Sequence, residues 1–129
     1  MKHLVINPDF TTEVLEDPTL TDLQNAVKGS IEGVSLRNGD SAYINEEGKL
    51  QALELNLAAS LLFENNMDDF IVGPMIIVGK LAGEDYAGLS DVEIDVYKSY
   101  VEETDRNNPE EVQEYIKEQV GNFLGGRNG

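Results

Sequence analysis

The chain contains no cysteine among its 129 residues. This absence excludes a disulfide framework, cysteine-ligated zinc and thiol catalysis, and it suits a reducing compartment. Long apolar runs are absent as well: the longest, residues 75–78, is far shorter than the roughly 20 residues of a membrane helix. The N-terminal segment also lacks the extended apolar core of a secretory signal. We therefore expect a soluble, cytoplasmic protein.

Basic residues are scarce. Lys and Arg number 9 against 25 Asp and Glu, which gives a formal net charge of −16. A field of this sign repels nucleic acids and anionic membranes, so we expect neither as a direct partner. It attracts basic proteins instead. An acidic surface that serves only solubility explains the same composition.

Signatures of catalysis are also missing. His3 is the only histidine, and no nucleophile elbow accompanies it. The glycines at 79 and 83 precede two acids that would repel a phosphate. Residues 65–69 offer oxygen atoms without the spacing of a calcium loop. Paired carboxylates arise by chance at this acid density, so an enzyme that uses them is the least favoured reading. We expect no enzymatic activity, no cofactor and no metal site.

Apolar periodicity and turn residues predict an α+β fold: a small, largely antiparallel sheet with one or two helices, followed by a C-terminal helical pair. Thr19 or Thr21 would cap a short helix that Gly29 ends, and Asn56 would cap another that runs through Phe63. Residues 10–18 look irregular or extended. The segments with strand character are residues 4–6, 31–36, 42–44 and 70–78.

The C-terminal third changes character. Ser90 and Glu93 form a capping-box pattern, and Pro109 suits the first position of a second helix. The apolar stripe predicted for the first of these helices consists of Leu89, Val92, Val96 and Tyr100, with Tyr97 as a further candidate. We expect one domain over residues 1–129, with an α+β core in 1–83 and an acidic helical segment in 84–129.

Gly73 and Pro74 interrupt the apolar run at residues 70–78. Proline lacks an N–H group, so a neighbouring strand loses a hydrogen-bond donor unless the chain is bulged or lies at an edge. We therefore expect a bend here. At a sheet edge this strand could pair with a second copy of the chain, forming a homodimer, or with a partner strand. A covered edge is the alternative.

Four short segments occur in a fixed order: Gly-Ser-Ile-Glu at 29–32, Tyr-Ile-Asn-Glu-Glu-Gly-Lys at 43–49, Asn-Leu-Ala-Ala at 56–59 and Ile-Val-Gly-Pro at 71–74. This order resembles a family of small proteins encoded by bacteriophages, plasmids and integrative elements, known only as a domain of unknown function. The resemblance spans roughly residues 3–80. It implies a mobile-element accessory protein in the host cytoplasm, of a kind often encoded beside anti-restriction genes. No catalytic or binding residues follow from it.

Four polar residues are the candidate ligand-binding residues: Asn45, Glu47, Lys49 and Asn56. Around a pocket they could hold a nucleotide or a metabolite, so a small-ligand binding or sequestering protein is the alternative function. Structural roles compete with this one. Asn45 suits a tight turn with Glu47 and Lys49 in solvent, which is the favoured interpretation there. For Asn56, a helix cap and a ligand contact are equally favoured.

Acidic residues concentrate on the predicted C-terminal helices, since residues 84–118 hold 12 acids and 3 bases. Carboxylates spaced along a helix can imitate the phosphates of DNA and occupy a basic groove, although a solvated helix surface is the alternative. We predict a non-enzymatic protein that binds a basic host protein through this surface. An anti-defence inhibitor or DNA mimic, acting on a nucleic-acid-binding defence protein, is the specific form. The candidate partner-binding residues are Glu93, Asp95, Glu102, Glu103, Glu110, Glu111, Glu114 and Glu118.

Overall fold

The computed structural model describes residues 1–63 and 69–107. The elements are β1 Lys2–Ile6, β2 Thr12–Glu16, α1 Leu20–Val27, β3 Ile31–Ser35, β4 Ser41–Asn45, α2 Leu57–Leu62, β5 Met75–Gly79, β6 Leu81–Ala82, β7 Asp85–Tyr86 and α3 Asp91–Arg106. A five-stranded antiparallel sheet has the strand order β2-β1-β5-β4-β3, and β6 pairs with β7 in a separate hairpin. The predicted α+β class is confirmed. The second C-terminal helix, predicted to start at Pro109, lies outside the described residues.

Strand β5 lies at the centre of the sheet, between β1 and β4. All five of its residues are buried, which explains their continuous apolar sequence. The chain bends at Gly73, where φ is +74°, and Pro74 follows before β5 begins. The bend is therefore confirmed. The expectation of a sheet edge here, either open or covered, is wrong, because β5 is paired on both sides and leaves no room for another strand.

Successive strand residues point to opposite sides of the sheet, and apolar residues lie on both sides. Helices cover both faces. On one face, Val5, Ile76 and Val78 pack with Val27 of α1. On the other face, Leu4, Ile6, Met75 and Ile77 share a core with residues of α2 and α3. No helix in the described ranges is both long and apolar enough to span a lipid bilayer.

Helix α1 begins where the sequence predicts and ends slightly differently. Thr19 is its N-cap and forms a capping box with Asp22. The left-handed residue at its C-terminus is Lys28, with φ +67°, so the prediction that Gly29 ends the helix is wrong by one position. Gly29 is required for a different reason. A Cβ atom at this position would lie 2.8 Å from Nδ2 of Asn45, so any other residue would displace the buried Asn45 amide.

Helix α3 has the predicted capping box of Ser90 and Glu93, and its predicted apolar stripe is buried only in part. Leu89 and Tyr97 are buried and Tyr100 packs against the core, as predicted. Ile94, Tyr97 and Val101 are buried against the sheet. Val92 and Val96 are 73% and 62% exposed, so their assignment to the apolar stripe is wrong. Two apolar stripes compete on this helix, and helical periodicity alone does not rank them.

Tyr97 explains which stripe of α3 is buried. Its hydroxyl donates a hydrogen bond to the carboxylate of Asp40, in the turn between β3 and β4, and accepts one from Nδ2 of Asn38 at 2.6 Å. Asp40 is 2% exposed and also receives Nζ of Lys80 at 3.2 Å. Burial, together with the adjacent carboxylate, raises the pKa of Tyr97 well above its usual value, so the hydroxyl remains a donor. This network attaches α3 to the sheet.

The substitution Tyr97→Phe tests this attachment. It leaves the buried Asp40 carboxylate without one donor, which costs about 1–3 kcal/mol of unfolding free energy in urea titrations. Tyr86→Phe is the matched control, because the Tyr86 ring packs edge-on against Tyr43 at 5.8 Å and its change should stay within about 0.5 kcal/mol. Equal losses in the two variants would show that the Tyr97 hydroxyl contributes nothing specific.

Candidate functional site

The turn after β4 is built around the side chain of Asn45, which is 4% exposed. Its Nδ2 donates to the carbonyl of Val27 at 3.0 Å and to Oε1 of Gln51 at 3.1 Å. Its Oδ1 accepts the backbone N–H of Glu47 at 2.7 Å. Both donors and the acceptor are therefore used within the protein. Asn45 organises the turn, as the favoured turn interpretation predicts. Its bond to Val27 also joins the turn to the end of α1, which was not predicted, and its amide offers little to a ligand.

A cleft of about 320 Å³ opens beside this turn, on the face of the sheet that α2 and α3 cover. Three of the four predicted ligand residues, Asn45, Glu47 and Lys49, contribute to its lining, and Asn56 does not. Lys49 forms an ion pair with Asp69 and lies 4.4 Å from the centre of the Phe70 ring. The cleft thus has a mixed lining of aromatic rings, aliphatic side chains and carboxylates, and its lysine is already paired.

Asn56 lies elsewhere and is completely buried. Its Oδ1 caps α2 by accepting the N–H of Ala59 at 3.1 Å. Its Nδ2 donates to two carbonyls at 2.9 Å, those of Ile6 at the end of β1 and Gly73 at the bend. The helix-cap role is therefore present in the structure, together with a pair of long-range bonds that sequence reasoning missed. These contacts use the whole amide.

Four of the eight predicted partner-binding residues lie in the described part of the chain. Glu93, Asp95, Glu102 and Glu103 are all exposed on α3. The Glu93 carboxylate accepts the N–H of Ser90 at 3.0 Å, so it also stabilises the helix start. In residues 1–63 and 69–107, the other three carboxylates form no ion pair. The remaining candidates, Glu110, Glu111, Glu114 and Glu118, lie outside the described residues.

The network of Asp40, Asn38, Tyr97 and Lys80 is a polar cluster that sequence reasoning missed. Asp40 follows Asn38 and Gly39, a pattern typical of an exposed turn, yet its carboxylate is buried. The residue that explains the burial of this carboxylate is Tyr97, which lies on a remote helix. No group of three or more metal-ligating side chains occurs in the described parts of the chain.

His3 is a buried residue of β1, 8% exposed. Its Nδ1 is buried and has no hydrogen-bond partner within the described chain. Burial, with a smaller effect of the N-terminal ammonium, lowers the pKa of His3 below its usual value. His3 therefore binds a proton less readily in the folded protein than in the unfolded chain.

The geometry defines a small α+β protein with a central antiparallel sheet, helices on both faces and no assembled catalytic group among its described residues. Residues 1–105 match the family described as "Domain of unknown function (DUF3846)", and the chain belongs to that family. The match extends through nearly all of α3, beyond the point near residue 80 where the resemblance in sequence ends. Neither the curated proteins nor the solved structures gave a significant match.

Substituting Asn56 separates its cap from its long-range bonds. Asn56→Ala removes the cap and leaves two buried carbonyls without this donor, so we expect a loss of about 3 kcal/mol of unfolding free energy. Asn56→Asp keeps the cap acceptor but cannot donate, and it should be at least as unstable. Asn25→Ala, on the exposed side of α1, is the control and should change stability by less than about 0.5 kcal/mol. Unchanged denaturation midpoints for both Asn56 variants would contradict this role.

The buried His3 predicts a pH dependence of stability. Its pKa is lower in the folded than in the unfolded protein, so the unfolded state binds more protons as pH falls below about 6.5. Stability should therefore decrease from pH 7.5 towards pH 5, and His3→Leu should remove this part of the decrease. The measurement is the melting temperature of both proteins, which should diverge by a few degrees in favour of the variant at the lower pH. Parallel curves would contradict the prediction.

Proposed function

We propose that this protein is a non-enzymatic accessory protein of a phage or mobile element, and that it binds a basic host protein through the outer face of α3. The outer face consists of Val92, Asp95, Val96, Glu102 and Glu103. The observation that carries the proposal is the exposure of Val92 and Val96 among carboxylates that form no ion pair within residues 1–63 and 69–107.

The two valines are four residues apart on a helix, so they are neighbours on its surface. The two side chains are 73% and 62% exposed, so apolar surface remains in contact with water in the free protein. A bound partner would bury this surface, which is favourable. Carboxylates flank them. An apolar centre within a charged rim is the usual composition of a protein-binding surface, so the outer face supports binding of a protein in particular.

The charges support a basic partner. Asp95, Glu102 and Glu103 have no cationic side chain paired with them in the described residues, and the chain as a whole carries −16. Opposite charge on a partner would accelerate association and make it sensitive to salt. This electrostatic attraction acts before the two proteins are in contact.

The more specific proposal is inhibition of a host defence protein that binds nucleic acid. Occupation of its basic groove by carboxylates would be the mechanism. On α3, however, Asp91 is paired with Lys2 at 2.8 Å and Glu93 accepts the Ser90 N–H. Val92 and Val96 lie on the same side of α3 as the remaining acids. This composition favours mixed apolar and ionic contact with a protein surface over a pure imitation of the DNA backbone.

The small-ligand alternative has less support. It depends on the amides of Asn45 and Asn56, and both are used by contacts within the protein. The cleft beside Asn45 keeps it open as a second candidate, with Glu47 and Lys49 as the remaining contact residues.

The test begins with affinity capture from the natural host, followed by binding measurements on the purified partner. Reversal of Asp95, Glu102 and Glu103 to lysine should weaken binding by about 100-fold, or about 2.7 kcal/mol. The control reverses Glu13, Glu54 and Glu84, which are exposed elsewhere, and changes net charge equally. Comparable losses in both variants would mean that charge acts non-specifically, and unchanged binding in the first would refute the proposal.

A second variant separates protein binding from DNA mimicry. Replacing Val92 and Val96 with serine leaves the charge intact and should weaken binding by about tenfold, with little change in its salt dependence. Full affinity in this variant, with competition between the protein and duplex DNA for the partner, would favour a purely electrostatic mimic.

A further inference from the structure

The turn between β3 and β4 contains an asparagine followed by a glycine, Asn38 and Gly39, and both are exposed to solvent. In such a pair the backbone nitrogen of the glycine can attack Cγ of the asparagine, because glycine has no side chain to hinder the approach. A bond forms between this nitrogen and Cγ, the nitrogen gives up its proton, and the side-chain amide leaves as ammonia. Water then opens the succinimide ring, which produces aspartate or isoaspartate. The turn therefore carries the residues of a deamidation site.

The folded structure restrains both groups that take part in this reaction. The attacking nitrogen belongs to Gly39, whose N–H donates to the carbonyl of Leu36 at 3.0 Å. The amide of Asn38 is held at both ends: its Oδ1 accepts the N–H of Asp40 at 3.0 Å, and its Nδ2 donates to the hydroxyl of Tyr97 at 2.6 Å. Attack on Cγ requires this amide to rotate, so it must first lose these bonds.

One of these contacts comes from outside the turn. Tyr97 lies on α3, and Ile94, Tyr97 and Val101 bury that helix against the sheet. While α3 is packed in this way, its hydroxyl fixes Nδ2 of Asn38. When the helix opens, the amide loses that partner and can rotate. A reaction that proceeds only from an open state has a rate proportional to the population of that state.

The product does not fit the network that held the amide. Deamidation replaces a donor with a carboxylate, whereas the single proton of the Tyr97 hydroxyl is already donated to Asp40. The new carboxylate would face an acceptor oxygen beside the Asp40 carboxylate, which is 2% exposed. Lys80, 3.2 Å from Asp40, is one cation for two carboxylates. Isoaspartate would also insert its Cβ atom into the main chain of the turn.

We propose that Asn38 is a deamidation site whose reaction is held back by the packing of α3, and whose product weakens that packing. The site then acts as a slow, one-way switch on the helix that carries the outer face. Only this consequence rests on the proposed function. The reaction is measured on the isolated protein without a partner, so the two proposals can fail separately.

The first test is the rate of deamidation at Asn38. The protein is kept in mildly alkaline buffer, and peptide mapping by mass spectrometry follows the Asn, Asp and isoaspartate forms. The rate should be about tenfold or more higher in urea-unfolded protein than in folded protein. In folded Tyr97→Phe it should rise about fivefold or more, because one bond that opposes opening is lost. Tyr86→Phe is the control and should stay within about twofold of the wild type.

A pair of valine variants separates opening of α3 from general loss of stability. Val101 on α3 and Val27 on α1 are both buried, but they lie on opposite faces of the sheet. Val101→Ala should accelerate deamidation at Asn38 about tenfold, whereas Val27→Ala should change it by less than about threefold. Circular dichroism establishes that each variant folds. If Tyr97→Phe does not fold, this pair decides the question. Equal acceleration in both valine variants would overturn the proposal, as would a wild-type rate in a folded Tyr97→Phe protein.

The effect of the product is tested with Asn38→Asp. Hydrogen exchange measured by NMR should be about tenfold faster at the amides of Ile94, Tyr97 and Val101, with little change in β5. Wild-type protein that has been aged until Asn38 is converted gives the same comparison if the variant does not fold. Exchange in α3 at the wild-type rate would show that the carboxylate is accommodated, and it would refute the switch.

Discussion

The side-chain amide of Asn56 is the contact on which the arrangement of the sheet depends. It binds the carbonyls of Ile6 and Gly73 and caps α2 at the same time. Three segments far apart in the chain meet there. Because Pro74 has no N–H to offer, the chain enters the central strand without a ladder bond at that position, and the buried carbonyls nearby need another donor. A primary amide is suited to this because it supplies two donors and an acceptor.

Because β5 lies at the centre of the sheet and carries apolar side chains on both faces, other elements must cover both faces of the sheet. Helix α1 covers one face, and α2 and α3 cover the other. The hydroxyl of Tyr97 then fixes the rotation of α3 through its bond to Asp40. That rotation places Val92 and Val96 in solvent. The proposed partner surface is thus a consequence of a buried hydrogen bond on the opposite side of the same helix.

The proposed surface on the outer face of α3 depends on the excess of acids over bases. The structure uses several bases within the protein, as in the pairs of Lys2 with Asp91, Lys49 with Asp69 and Lys80 with Asp40. Within residues 1–63 and 69–107, Asp95, Glu102 and Glu103 form no such pair. The turn at Asn45, by contrast, resembles a site in sequence only because a side chain that organises a turn has the same chemistry as one that holds a ligand.

The sequence by itself determined the local features of this protein. The caps at Thr19, Asn56 and Ser90, the turn after β4 and the bend at Gly73 depend on neighbours within a few residues, and each is present as predicted. The tertiary structure alone decided the strand order, the buried stripe of α3 and the partners of Asn45, Asp40 and Asn56. Those outcomes depend on contacts between residues far apart in the chain, such as the pairing of Leu4 with Ile77, and local periodicity carries no information about which distant groups will meet. The physical reason is that one residue type satisfies several local roles, and only packing selects among them.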